Sequence, residues 1–252
     1  MQLVLLTALG VGLATVFGAL IGFGFGKVSH KFNDIVLSFA AGVMLAAAVM
    51  GLIIPAIEYE GKFTVLMTVV GVFCGAVVLQ LIDHFVPHLH RLGGKDTEEH
   101  RAGGANIQKV MLFVFAIAIH NFPEGIAAGV GFGTGNAMEA MTIAGGIALQ
   151  NIPEGMVIIA PMIAGGISKK RTLSIAVATG LVEVIGTFVG YFAVSISTAI
   201  LPFALAFAGG TMLYIISDEM IPETHAHGNE RGATYALLVG FVLMMLVDFY
   251  LG

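Results

Sequence analysis

Apolar residues run almost unbroken through eight stretches of the chain, approximately 3–26, 35–57, 64–86, 107–133, 137–165, 172–194, 199–221 and 233–251, each closed by a short polar interval. Each stretch is about the 20 residues that a helix needs to cross a hydrocarbon core of about 30 Å. In lipid such a segment satisfies its backbone hydrogen bonds internally only as a helix. The pattern predicts an all-α, polytopic membrane protein with eight transmembrane helices, residues 1–252 forming a single transmembrane domain. No Lys or Arg precedes the first stretch, which is far longer than the apolar centre of a signal peptide, so it is expected to be a retained span. The longest polar interval, 87–106, is Gly-rich at both ends and reads as a flexible tether dividing three spans from five.

Spans 4 and 5 break the apolar rule in the same way. Span 4 contains HNFPEG at 120–125 and span 5 contains QNIPEG at 150–155, joined by a short turn near Asn136. At 1.5 Å per residue both motifs lie about 20 to 25 Å from that turn, so they face each other at similar depth. Residues four apart share a helix face, which stacks His120 with Glu124 and Gln150 with Glu154, and puts Asn121 and Asn151 on the flank. Pro123 and Pro153 remove the hydrogen bonds to the carbonyls of Ile119 and Leu149. Span 6 adds Glu183, with Thr179 and Thr187 on its face.

A carboxylate at mid-membrane costs about 3 kcal/mol on insertion scales, so three cost on the order of 9 kcal/mol. Apart from Lys109, at the cytoplasmic start of span 4, no Lys or Arg lies inside a span to neutralise them. Protons or a multivalent cation must, and imidazole beside carboxylate and amide oxygens is a mixed donor set that suits zinc, iron or manganese.

Composition supports the membrane reading: 58% of the 252 residues are hydrophobic and 11% charged, against about 25% charged in soluble domains. Lipid is thus an expected partner and nucleic acid is not. Sorting charge by loop puts Lys27, Lys31, Arg91, Lys95, Arg101, Lys109, Lys169, Lys170, Arg171 and Arg231 on one side and Lys62 alone on the other. Positive loops stay cytoplasmic, so both termini are expected outside. Cys74, the only cysteine, falls within span 3 and reads as a packed thiol. The 34 glycines include Gly18, Gly22 and Gly26 on one face of span 1, a spacing that lets helices approach closely. No GxxxxGK[ST] loop is present, so ATP is not the direct drive.

HNFPEGIA, QNIPEG, TGLVE in span 6 and SDEMIPETHAHG at the end of span 7 resemble the ZIP family of divalent metal transporters, bacterial type. The resemblance covers the whole chain. It implies a 3+2+3 arrangement and uptake of divalent metal, zinc foremost with iron, manganese and cadmium as further cargo, into the cytoplasm across the plasma (inner) membrane. It implies a transport site of His120, Glu124, Gln150 and Glu154, with Met44 of FAAGVMLAAA as a further ligand. Asn121, Asn151 and Glu183 would complete an adjacent second site that shares Glu124 and Glu154. Some members have His or Asp in place of Gln150 and Asn151, so the span 5 motif brings less charge here. The resemblance further implies alternating access by an elevator-like movement of spans 1, 4, 5 and 6 against 2, 3, 7 and 8, within a homodimer. The glycine face of span 1 would then lie on a moving surface.

Two His-rich edges are expected on the cytoplasmic side: Asp83, His84, His88 and His90 after span 3, and Asp218, Glu219, Glu223, His225 and His227 after span 7. Both read as metal relay sites beneath the pore. His30 and His100 read as isolated and solvated, Asp34 as a helix cap, Asp248 as an interfacial charge, and Glu58, Glu60 and Glu139 as outer-loop carboxylates. An enzyme is not expected and no catalytic cofactor is called for. The alternatives are an intramembrane zinc metallohydrolase, against which the absence of HExxH counts, and a metal-selective channel sharing the same ligands.

Overall fold

The structure, a computed structural model, describes residues 1–25, 29–85, 107–164 and 166–251. The expected tether at 87–106 lies outside these residues, as do Gly26, Lys27, His88, His90 and His100 and the side chains of Asp83 and His84. The described chain is helical, with eight long rods: α1 (Gln2–Phe25), α2 (His30–Glu58), α3 (Thr64–Phe85), α4 (Ile107–Val130), α5 (Ala137–Val157), α6 (Lys169–Ile196), α7 (Leu201–Thr224) and α8 (Glu230–Leu251). Among the described residues, six helices are long and apolar enough to cross a membrane: α1, α2, α3 as far as Ile82, α6, α7 and α8. The other two, α4 and α5, carry the polar motifs.

Local chemistry fixes the ends. Ser29, not Asp34, caps α2, its hydroxyl accepting from the Phe32 amide at 3.2 Å. Asp34 sits a turn inside the helix, buried, where its carboxylate accepts from His227 Nδ1 at 3.0 Å and Asn229 Nδ2 at 3.2 Å. His30 is not isolated either: its ring stacks on His227 with centroids 4.8 Å apart. Between α4 and α5 the turn is tight because Gly135 takes a left-handed conformation (φ 78°) and Asn136 Oδ1 accepts from the amides of Met138 and Glu139. Two helices widen into π segments, Ala47–Ile53 in α2 and Ile216–Met220 in α7. Each runs into a proline, Pro55 and Pro222, whose ring crowds the turn before it. Because α7 continues to Thr224, Asp218, Glu219 and Glu223 stand on a helix and not in a loop.

The packing exposes an internal repeat. GLATVFGALIG (12–22) in α1 matches GLVEVIGTFVG (180–190) in α6, and FAAGVML (39–45) in α2 matches FAGGTML (207–213) in α7, at a constant offset of 168 residues. Contacts repeat with the sequence. A Cβ on Gly18 would overlap the Ile152 carbonyl, and one on Gly186 the Phe122 carbonyl; Gly42 meets Leu237, and Gly210 meets Val72. Gly12 and Gly180 meet each other reciprocally, as equivalent positions do at a two-fold axis. The exchange relates α1 to α6, α2 to α7, α3 to α8 and α4 to α5.

Backbone-on-backbone contacts join α1, α4, α5 and α6 into one body. They also join α2 to α8 and α3 to α7, and these two pairs meet along α2 and α7 to make a second body, where a Cβ on Gly209 would stand 2.7 Å from Ile53 Cγ1 and 3.2 Å from the Ala48 carbonyl. α1 packs on α5 and α6, and α4 on α6; α2 packs on α8, and α3 on α7. Between the bodies, α2 and α8 lie against α5 and α7 against α4, and there a Cβ added to a glycine would meet side-chain ends: on Gly51 it would stand 3.0 Å from Ile143 Cγ1, on Gly146 2.7 Å from the Met244 thioether and on Gly133 2.6 Å from Leu201 Cδ1. The main core brings together residues of both bodies, Ala41, Met44 and Met212 of one with Ala127, Ala128 and Ile147 of the other. The glycine face of α1 is correspondingly an interior seam, Gly18 and Gly22 resting on Ile152, Met156 and Ile159, and not the boundary with the second body.

Candidate metal centre

α4 and α5 continue through Pro123 and Pro153 without a break, so the i, i+4 faces read from sequence persist. Asn121, Glu124, Gln150 and Asn151 are buried to within 1% of full exclusion. Glu154 is half-buried. Glu124 has the carboxylates of Glu154 and Glu183 as its charged neighbours and the Gln150 amide beside it, without a well-formed hydrogen bond to that amide.

Glu183, fully buried, is the best hydrogen-bonded group of the set. Its Oε1 accepts from the Thr15 hydroxyl at 2.7 Å and from Asn121 Nδ2, and its Oε2 accepts from Asn151 Nδ2 at 2.7 Å. Asn151 Nδ2 also reaches the Val11 carbonyl at 3.3 Å. The remaining polar atoms are not served. Nine buried side-chain nitrogen or oxygen atoms among the described residues lack a hydrogen-bond partner, and seven belong to this cluster: Oδ1 of Asn121 and Asn151, both oxygens of Glu124, both amide atoms of Gln150 and Oε1 of Glu154. Leaving one such group unmade costs about 1–3 kcal/mol. Six oxygens orphaned together in a site without a cationic side chain are what an oxygen-binding cation would satisfy.

The first expected ligand points elsewhere. His120 Nε2 lies 3.0 Å from Glu219 Oε1 of α7, a bond that spans the two bodies. In this conformation no three His, Cys, Asp or Glu side chains among the described residues are grouped to hold a metal; the cluster is carboxylates and amides with the imidazole at its edge. Met44 is fully buried in the main core. Of the expected relay residues, Asp218 is exposed and Glu223 half-buried. His225 is held at both ring nitrogens, by the Ile221 carbonyl at 2.9 Å and Thr234 Oγ1 at 3.2 Å, and His227 by Asp34.

Sequence reasoning missed Thr15 as a partner of the cluster. Thr179 and Thr187, singled out on the Glu183 face, instead bond back to their own helix, at the carbonyls of Ala176 and Glu183. The signal that finds Thr15 is the repeat: it occupies in α1 the place of Glu183 in α6.

Residues 93–248 match a family model described as "ZIP Zinc transporter". The chain is 40% identical over 254 residues to the zinc transporter GufA of Myxococcus xanthus, covering 98% of both chains. It is 37% identical to the zinc transporter ZIPB of Bordetella bronchiseptica, over 95% of this chain and 78% of that one. It is 36% identical to the zinc transporter ZupT of Chlorobaculum parvum, over 95% and 94%. Buried orphan oxygens at mid-helix, long apolar helices and these matches agree, and the chain belongs to the ZIP family of membrane proteins.

Proposed function

We propose that the protein carries divalent metal, zinc foremost, from the outer side of the plasma (inner) membrane to the cytoplasm, through the paired motifs of α4 and α5. The single observation that carries this reading is the set of orphan buried oxygens on Asn121, Glu124, Gln150, Asn151 and Glu154. His120, Glu124, Gln150 and Glu154 form the transport site, joined by Met44 as the cargo passes α2. Asn121, Asn151 and Glu183 form the adjacent site. The relatives named as zinc transporters make zinc the leading cargo; iron, manganese and cadmium fit the same donor types.

The two bodies support an elevator-type movement. Within the body of α1, α4, α5 and α6, and within the pairs α2/α8 and α3/α7, glycines meet backbone and resist sliding; between bodies they meet side-chain ends that can give way. The site-bearing helices α4, α5 and α6 with α1 then move against α2, α3, α7 and α8. His120 bonds to Glu219 in the present position, so Glu219 stands on the exit route, followed by the residues Asp218, Glu223, His225 and His227, with Asp83, His84, His88 and His90 at the cytoplasmic end of span 3 as the second edge. α4 and α5 cross the membrane like the other six helices, which makes eight crossings with both termini outside, the orientation favoured by ten of the eleven basic residues. A homodimer completes the reading.

Replacing His120 or Glu124 by Ala is expected to abolish zinc uptake by cells while the protein still reaches the membrane. Near-normal uptake by either variant would remove that residue from the site.

A further inference from the structure

Three helices converge on Glu183. Asn121 and Asn151 spend their amide N–H groups on its carboxylate, and for that reason their carbonyl oxygens turn away from it and stand unpartnered. Whatever holds the Glu183 carboxylate in place therefore also sets the direction of two oxygens of the cluster. The third donor is the hydroxyl of Thr15, 2% exposed and 2.7 Å from Glu183 Oε1. A threonine inside a helix usually bonds back to its own backbone, as Thr179 and Thr187 do here. Thr15 instead reaches across to another helix.

The repeat gives the physical reason. Thr15 and Glu183 are equivalent positions, 168 residues apart, one turn from the reciprocal Gly12–Gly180 contact. Identical residues there would face each other, and two carboxylates so close cannot both be ionised. A hydroxyl opposite a carboxylate makes a donor–acceptor pair from the same geometry. The seam is also rigid, since a Cβ on Gly155 would overlap the Thr15 carbonyl and one on Gly125 the Glu183 carbonyl. The hydroxyl is thus delivered at a fixed place.

We propose that Thr15 is a positioning residue of the metal site, its hydroxyl fixing the Glu183 carboxylate so that the carbonyl oxygens of Asn121 and Asn151 are presented to the cargo. This rests on the reading that Glu183, Asn121 and Asn151 belong to the site. Outer partners of ligating groups typically change metal affinity by about 10- to 100-fold when removed.

The test is zinc influx into proteoliposomes for Thr15→Val, Thr15→Ala, Thr15→Ser, Glu183→Gln and the double variant Thr15→Val/Glu183→Gln, with melting temperature in detergent recorded for each. Loss of the hydroxyl is expected to raise KM for zinc about tenfold with little change in melting temperature. Thr15→Ser should retain the wild-type KM, and Thr15→Val should add nothing in the Glu183→Gln background. A wild-type KM in both Thr15→Val and Thr15→Ala would overturn the proposal, as would the same fold-change in both Glu183 backgrounds or a Thr15→Ser protein as impaired as Thr15→Val. Wild-type kinetics for Glu183→Gln alone would instead overturn the site reading beneath it.

Discussion

His120 and Glu219 come from different bodies and share a hydrogen bond of 3.0 Å with both side chains 14% exposed. A hydrogen bond involving a charged group contributes about 1.5–3 kcal/mol, and about 1.4 kcal/mol is a factor of ten. Glu219→Gln keeps the shape but removes the charge that would receive metal or imidazole, so zinc influx should fall about tenfold at unchanged protein level; equal influx would take Glu219 off the route. At this scale the sequence was most readable where chemistry opposed its surroundings. His120, Asn121, Glu124, Gln150, Asn151, Glu154 and Glu183 stand out because lipid makes each expensive; Asn121, Glu124, Gln150, Asn151 and Glu183 are buried, Glu154 lies beside Glu124, and His120 is turned to Glu219. Thr15, Glu219 and Asp34 were harder to read. A membrane threonine commonly back-bonds, a carboxylate near a helix end looks solvated, and an Asp in a first turn looks like a cap. Their roles come from partners remote in sequence, 168, 99 and 193 residues away.

For whole helices, glycine contacts separate fixed seams from soft ones. Gly155→Ala would drive a Cβ into the Thr15 carbonyl, backbone against backbone, where forced overpacking costs about 1–3 kcal/mol. Gly146→Ala meets the Met244 thioether at 2.7 Å, the mobile end of a flexible side chain, and gains about 0.5–1 kcal/mol of helix propensity. Thermal unfolding in detergent should therefore show a clear loss for Gly155→Ala and little change for Gly146→Ala; the reverse order would contradict the division into bodies. The helix ends fell within a few residues of the apolar runs, because each run is closed by a capping or turn residue such as Ser29, Asn136 or Ser168. The π segments before Pro55 and Pro222 were not legible, since a widened turn changes hydrogen bonding without changing the apolar pattern. The seam role of Gly18 and Gly22 was also hidden, because small residues suit a sliding surface and a locked one equally well until the facing atoms are known.

At the scale of the whole molecule, the proposed movement carries metal on a moving body and not through a fixed pore. Ile143 of α5 gives a direct way to ask, because it faces both bodies. A Cβ on Gly51 of α2 would stand 4.0 Å from Ile143 Cβ, and one on Gly131, in the turn after α4, would stand 3.8 Å from it, both within the 3.5–4.5 Å of a disulfide. With Cys74, the only native cysteine, replaced by Ser, the pair Gly51→Cys/Ile143→Cys ties the two bodies together, and the pair Gly131→Cys/Ile143→Cys ties one body to itself. The deciding measurement is zinc influx into proteoliposomes before and after oxidation. The predicted result is saturable influx in both reduced proteins, its loss on oxidation of the 51–143 pair, its return on reduction, and no effect of oxidation on the 131–143 pair. Undiminished influx through fully oxidised 51–143 protein would contradict the account.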